Sequence, residues 1–264
     1  MSNNKSTRRQ NKPSYKANIK PLQKDLNTGE QKNKNQIVQT NSRFMLTDFL
    51  PTTKKEVELR EWDELDVILF SGDAYIDHPA FGVSVIGRVL EAAGYRVAII
   101  PQPDWHGDFR DFKKLGRPRL FFGVSAGAMD SMVNKYTANK RLRSEDAYSP
   151  NGRHDLRPEY PSIVYSNILR QLYPDVPIVL GGIEASLRRL THYDYWKDCI
   201  RKSVLCDSGA DIVIYGIGEK QIISIAQALE NGRKIKAIKD IPQTAYLCKE
   251  RGIEIQRKTE REGR

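Results

Sequence analysis

Residues 72–82, GDAYIDHPAFG, gather Asp73, Tyr75, Asp77 and His78 between Gly72 and Gly82, directly after the apolar run DVILF. Two carboxylates and an imidazole are an adequate ligand set for a divalent cation. Against a metal loop, Asp77 and His78 are adjacent and point in different directions, and no second histidine follows at helical spacing. The residue types favour a turn into a helix, with Asp77 or His78 capping it and Pro79 in the first helical position.

Three further glycine-bearing stretches carry residues of the same kind. GVSAGAMDS contains Ser125 in a literal GxSxG, from Gly123 to Gly127, at an expected strand-to-helix junction, which is the setting of a hydrolase nucleophile. His154 and His192 are available later in the chain as partners, though neither follows a late strand. GGIEASLRR brings Gly181, Gly182 and Glu184 together with Arg188 and Arg189. On a helix, Glu184 and Arg188 form an i,i+4 pair; the alternative is an arginine pair that meets an anionic ligand or a neighbouring domain. YGIGEKQ adds Gly216 and Glu219. None of the four stretches is GxGxxG or GxxxxGK[ST], so a dinucleotide or P-loop site lacks its sequence basis.

Each stretch follows a short apolar run that has to position it. The runs are DVILFSG (66–72), PRLFFGVSAG (118–127), VPIVLGG (176–182) and ADIVIYG (211–217), with YRVAIIP (95–101) as a fifth. All are nearly continuously apolar, as strands covered on both faces must be. Helical patterns alternate with them. TTKKEVELREWDEL offers Val57, Leu59, Trp62 and Leu65 for packing; FGVSVIGRVLEAAGY stops at Gly94; PSIVYSNILRQLYP starts with Pro161. HYDYWKDCIRKSVLC and GEKQIISIAQALENG read the same way. The alternation predicts a doubly wound α/β domain with a mainly parallel sheet of five to six strands, flavodoxin-like or cobalamin-binding-like, the sixth strand lying at TAYLC. In such a sheet ligands bind outside the carboxyl ends of the strands, where all four glycine stretches fall. Residues 136–160 form a long charged loop, expected to act as a lid or docking loop.

Charge is unevenly spread. Residues 1–43 hold ten Lys or Arg against two acids, accounting for +8 of the net +10. With few apolar residues and no periodicity, this arm is expected to be disordered. Its first reading is a solubilising tail and its second an RNA-binding module, because basic arms neutralise phosphates. No run of about 18 apolar residues marks a membrane span, and no secretory signal opens the chain, so a cytoplasmic protein is expected. Cys199, Cys206 and Cys248 form no CxxC. With Cys199 and Cys206 seven apart on an expected helix, they read as small core thiols on one face.

The strings DELDVILFSGDAYIDHPAFGVSVIGRVLEAAGYRVAIIPQPDW, FFGVSAGAMDSMVNKYTANKR, YPSIVYSNILRQLYPDVPIVLGGIEASLRRLTHYDYW and SGADIVIYGIGEKQI together resemble the N-terminal domain of the YgiQ-type radical SAM proteins, over residues 46 to 250. The resemblance implies a cobalamin-binding-like domain followed by a radical SAM barrel, in which a CxxxCxxC motif holds a [4Fe-4S] cluster that binds S-adenosylmethionine. This sequence has no such motif: its cysteines are spaced by seven and forty-two. Residues 44–250 are thus expected to be an accessory domain that carries no cofactor of its own. Its partner would be a barrel in the same protein or a separate chain, with residues 251–264 as a linker or frayed end. Lower-ligand cobalamin domains carry DxHxxG, whereas Asp77 and His78 are adjacent; GGIE and YGIGE resemble cobalamin-domain loops that can persist as docking surfaces. The candidate ligand-edge residues are Gly72, Asp73, Tyr75, Asp77 and His78 after the first strand, Ser125 after the third, Gly181, Gly182 and Glu184 after the fourth, and Gly216 and Glu219 after the fifth.

Overall fold

The computed structural model describes residues 45–248. The expectations for the basic arm and for residues 251–264 lie outside that range.

In chain order, α1 (Lys54–Glu58) leads into β1 (Val67–Ser71), then α2 (Gly82–Ala92), β2 (Val97–Pro101), α3 (Arg110–Lys113) and β3 (Phe121–Ser125). Next come α4 (Ser131–Lys135), α5 (Pro161–Leu172), β4 (Ile178–Gly181) and α6 (Gly182–Leu187). The chain continues through β5 (His192–Asp194), β6 (Cys199–Arg201), α7 (Val204–Ser208), β7 (Ile212–Ile214), α8 (Glu219–Glu230) and β8 (Thr244–Tyr246).

Six of these strands form one sheet in the order β2-β1-β3-β4-β7-β8, parallel except for the antiparallel edge strand β8. The first five follow the flavodoxin-like order, which reverses direction between β1 and β3. Strand alternation splits the core in two. Ile68, Phe70, Ile100, Phe122 and Val124 meet α3, α5 and α7 on one face. Val67, Leu69, Ile99, Phe121 and Val179 meet α2 and α8 on the other. The first face holds a run of rings: Phe70 stacks on Phe112 at 5.2 Å between centroids, and Phe112 meets Tyr165 edge-on at 5.7 Å.

Three expected helices differ. Over residues 52–65 only α1 is helical, started by a Thr53–Glu56 capping box and ended by Glu61 at φ 57°; Leu59 is left exposed. The helix after the first strand starts at Gly82, not near Pro79, and Phe81 at its cap position makes no side-chain cap bond. Residues 192–206 are not one helix. They form the β5–β6 hairpin and then α7, because Asp194 accepts the Trp196 and Lys197 N–H groups and Asp198 takes φ 51°. An aspartate that bonds the backbone two and three residues on makes a turn, and helical spacing of the apolar residues does not outweigh it. Cys199 and Cys206 therefore share no helix face, and both are exposed.

Candidate functional site

At the sheet's reversal point the loops after β1 and β3 interlock. The Gly72 N–H donates to the Ser125 carbonyl at 3.0 Å, and the Ala128 N–H to Asp73 at 2.6 Å. The long loop 136–160 is tied to the same place. Tyr148 C=O accepts from Ala74 N–H, and Arg157, 2% exposed, pairs with Asp73 at 3.0 Å and with Asp146 at 2.8 Å. Burial pushes the Asp73 carboxyl above its ordinary value despite the guanidinium. Burial acts on Asp146 in the same direction, but the Tyr148 N–H, Arg157 and Ser149 outweigh it and hold that carboxyl below the usual range.

Beside this network the strand ends open into a crevice of about 380 Å³ between the sheet and the helices α2 and α8. Of the residues singled out in the sequence, Ser125, Gly181, Gly182, Gly216 and Glu219 line it together. Its walls are Val83, Ile86 and Ile222, and its outer lip carries the exposed Ile183 and Ile217. The remaining candidates lie elsewhere. Tyr75 accepts the Leu50 N–H at 3.1 Å, and Gly72 and Asp73 are buried and do not line the crevice.

Asp77 and His78 do not cap α2. Asp77 binds Arg88 of that helix through Nε at 3.1 Å, and the exposed His78 accepts the Ala80 N–H on Nδ1 at 3.1 Å. A cobalamin held by a histidine does not fit this arrangement, since Asp77 is committed to Arg88 and His78 is not among the crevice residues.

Glu184 and Arg188 do not pair with each other. The carboxylate of Glu184, fully buried, accepts the N–H groups of Ser131 and Ser162 at the starts of α4 and α5, at 3.1 and 3.2 Å. Arg188 binds Asp130, which also caps α4 by accepting from Met132 and Val133. Arg188 is thereby withdrawn from any anionic ligand; Arg189 lies over the Tyr215 ring at 4.6 Å. Glu184→Gln keeps one acceptor where two N–H groups need one each, so thermal melts should show a loss of about 1–3 kcal/mol. An unchanged melting temperature would mean water serves those amides instead.

Ser125 Oγ accepts the Gly127 N–H at 3.2 Å. Among the described residues no histidine bonds it: His154 meets Asp155, and His192 meets the Leu190 carbonyl. The triad that GxSxG would need is not assembled among them. Nor does any group of three His, Cys, Asp or Glu among the described residues stand where it could hold a metal, and no described helix is long and apolar enough to cross a membrane.

The reversal-point crevice and the 2-1-3-4 strand core define an open-sheet α/β domain of the kind that places its functional loops at the strand ends. The sequence matches the family described as Radical SAM N-terminal over residues 49–262, and the chain belongs to that family. It is 69% identical over 217 residues to a UPF0313 protein of Bacteroides thetaiotaomicron, covering 78% of this chain and 35% of the relative. A UPF0313 protein of Porphyromonas gingivalis is 67% identical over 202 residues, 76% of this chain and 32% of the relative. The chain thus spans about a third of the length of these relatives. A solved radical S-adenosylmethionine methyltransferase, TsrM from Kitasatospora setae, is similar at a TM-score of 0.45 and 18% identity, over 69% of this chain and 28% of that one.

Asp130, Asp146, Arg157 and Arg188 organise the strand-end loops without having been singled out in the sequence, apart from Arg188 in another role. Asp130 had a readable signal, an aspartate just before a helical run. For Arg157 no local pattern exists, because its partners are 84 and 11 residues away.

Proposed function

We propose that this chain is the N-terminal accessory domain of a radical SAM, [4Fe-4S]-dependent enzyme, and that its strand-end edge docks on the cluster-bearing barrel. Family membership supports the association, and the absence of CxxxCxxC from the sequence assigns the cluster ligands to another segment or chain. One observation carries the docking: large apolar side chains stand exposed at this end of the sheet, with Ile217 77% and Leu187 58% exposed. Ile183 lies one turn before Leu187 on α6, and Leu190 follows just after it. Monomeric surfaces rarely leave such a set uncovered. A domain joined to its partner by a polar interface would not need them.

The test uses the part of the Bacteroides relative outside the matched region, reconstituted with iron and sulfide, and measures its association with this chain. A complex is expected, weakened about tenfold or more by Leu187→Asp with Ile217→Asp, as for central apolar anchors. Both side chains are exposed, so the fold should tolerate the change. No association, or an association indifferent to the pair, would overturn the docking. The charge of residues 1–43 supports a second role in salt-sensitive RNA binding, which deletion of those residues should abolish.

A further inference from the structure

We propose that the outer face of the β5–β6 hairpin, with the loop tip clasped to it, binds single-stranded nucleic acid. It rests on the second role proposed above, with the arm supplying affinity for phosphate and the hairpin the choice of strand. Charge singles this place out. Residues 136–143 and 190–202 hold six Lys or Arg against two Asp, while the remainder of residues 44–264 holds 27 against 29. The two segments lie side by side. The Tyr195 hydroxyl donates to the Ala138 carbonyl at 2.8 Å, and Lys140 Nζ donates to the Trp196 carbonyl at 3.5 Å. Neither aspartate stands free: Asp194 is buried and accepts the Tyr160 hydroxyl at 2.5 Å, and Asp198 accepts the Tyr193 hydroxyl. Arg201 is engaged by Asp207 and Lys197 by Glu159. Lys140, Arg141, Arg143 and Lys202 are exposed and pair with no carboxylate among the described residues.

What these cations surround selects the partner. Residues directly opposite each other in an antiparallel pair share a face. Tyr193 stands opposite Ile200, and they are 56% and 70% exposed, while the other face turns Asp194 and Arg201 towards the Tyr160 ring. Tyr195, two residues on, is half exposed beneath Lys140, whose ammonium lies 4.7 Å from its ring centre. The hairpin is thus held from behind and left open in front. Rings among unpaired cations suit a flexible single strand, whose bases stack on the rings while its phosphates meet the cations. A duplex keeps its base faces stacked inside itself. An acidic protein segment offers carboxylates to the cations but no base to lay on Tyr193.

Labelled oligouridylate, oligothymidylate and an RNA duplex of the same length are titrated into the full chain at several salt concentrations, with fluorescence anisotropy as the readout. The single strands should bind about tenfold more tightly than the duplex, a preference that a basic arm alone does not give. The tighter of the two strands identifies the sugar. Tyr193→Ala should weaken the single strands about tenfold and leave the duplex unchanged, whereas Tyr193→Phe, which keeps the ring, should bind as the unaltered chain does. Arg141→Ala with Lys202→Ala should reduce the slope of log affinity against log salt by about 1.4, as two lost phosphate contacts do on a single strand. These side chains are exposed, so the fold should hold, and circular dichroism checks it. If Tyr193→Ala misfolds, the strand preference and the salt slope decide. Equal binding of strand and duplex, a single-strand affinity indifferent to Tyr193→Ala in the folded chain, or an unmoved salt slope would each overturn the hairpin site. Polyglutamate weakened as much as the strands by Tyr193→Ala would assign the face to an acidic protein and overturn it too. A failed hairpin leaves salt-sensitive binding that deletion of residues 1–43 abolishes; a failed arm leaves the strand preference in the chain without it. Neither Tyr193, Arg141 nor Lys202 belongs to the edge tested by Leu187 and Ile217, so the docking proposal stands apart.

Discussion

Arg157→Leu is expected to destabilise the domain by about 3–5 kcal/mol, the cost of leaving buried carboxylates without their cation. Arg157 sits between Asp73 and Asp146, all three almost wholly buried, and also donates to the Ala126 carbonyl at 3.1 Å. Its removal unfastens the long loop from the strand ends and strands two carboxylates at once. Arg157→Lys should fall between, since an ammonium cannot reproduce the paired contacts to Asp146. The pH dependence gives the loss a signature. In the intact domain the Asp146 carboxyl is held below 3.8, so its contribution is present above that value and fades as pH falls through the lowered one. Asp73 is raised, so its contribution is full below 3.8 and fades as pH rises through the raised value. Without the guanidinium, burial pushes both carboxyls up. The variant's deficit should then shrink between about pH 7 and pH 5, as protonation relieves the buried charge. Thermal melts at the two pH values check this; a deficit that does not depend on pH would assign the loss to packing alone.

Gly72→Ala is expected to cost about 3 kcal/mol or more, at the upper end of what overpacking does. A Cβ at residue 72 would lie 2.2 Å from the Ala126 carbonyl oxygen and 2.8 Å from its carbon. Both belong to the backbone, so no rotamer change relieves the clash. The backbone there is also held by the Gly72 N–H bond to Ser125. Gly82→Ala is the control: with open space around its Cβ and helical backbone, it should be neutral or stabilising by up to about 1 kcal/mol. Urea denaturation of the two variants separates a steric role from mere loss of flexibility, and equal midpoints would refute the close-approach reading.

The strand-end loops show how far the sequence was legible. Five apolar runs became β1, β2, β3, β4 and β7, because strands buried on both faces must be continuously apolar; TAYLC contains β8, an edge strand whose residues are half-buried or exposed. The family was legible as a resemblance of long strings, which run through β1, α2 and β2, through β3 and α4, through α5, β4 and α6, and through β7 into α8. Helix ends were less so. Asp77 and His78 have the right chemistry to cap a helix, but Arg88, eleven residues on, competes for Asp77. Residues 192–206 carry helical spacing, yet side-chain bonds from Asp194 favour a hairpin.

Local pattern was therefore enough for the α/β class and its strands, since those depend on burial periodicity and turn chemistry along short stretches, and the resemblance of long strings was enough for the family. Which polar residues face the crevice and which are spent inside the fold was settled only by tertiary contact. Glu184 holds the starts of α4 and α5, Arg188 belongs to Asp130, and Arg157 fastens a loop 84 residues from Asp73. A buried charge must be neutralised by whatever the folded chain brings within reach, and spacing along the sequence carries no record of that partner.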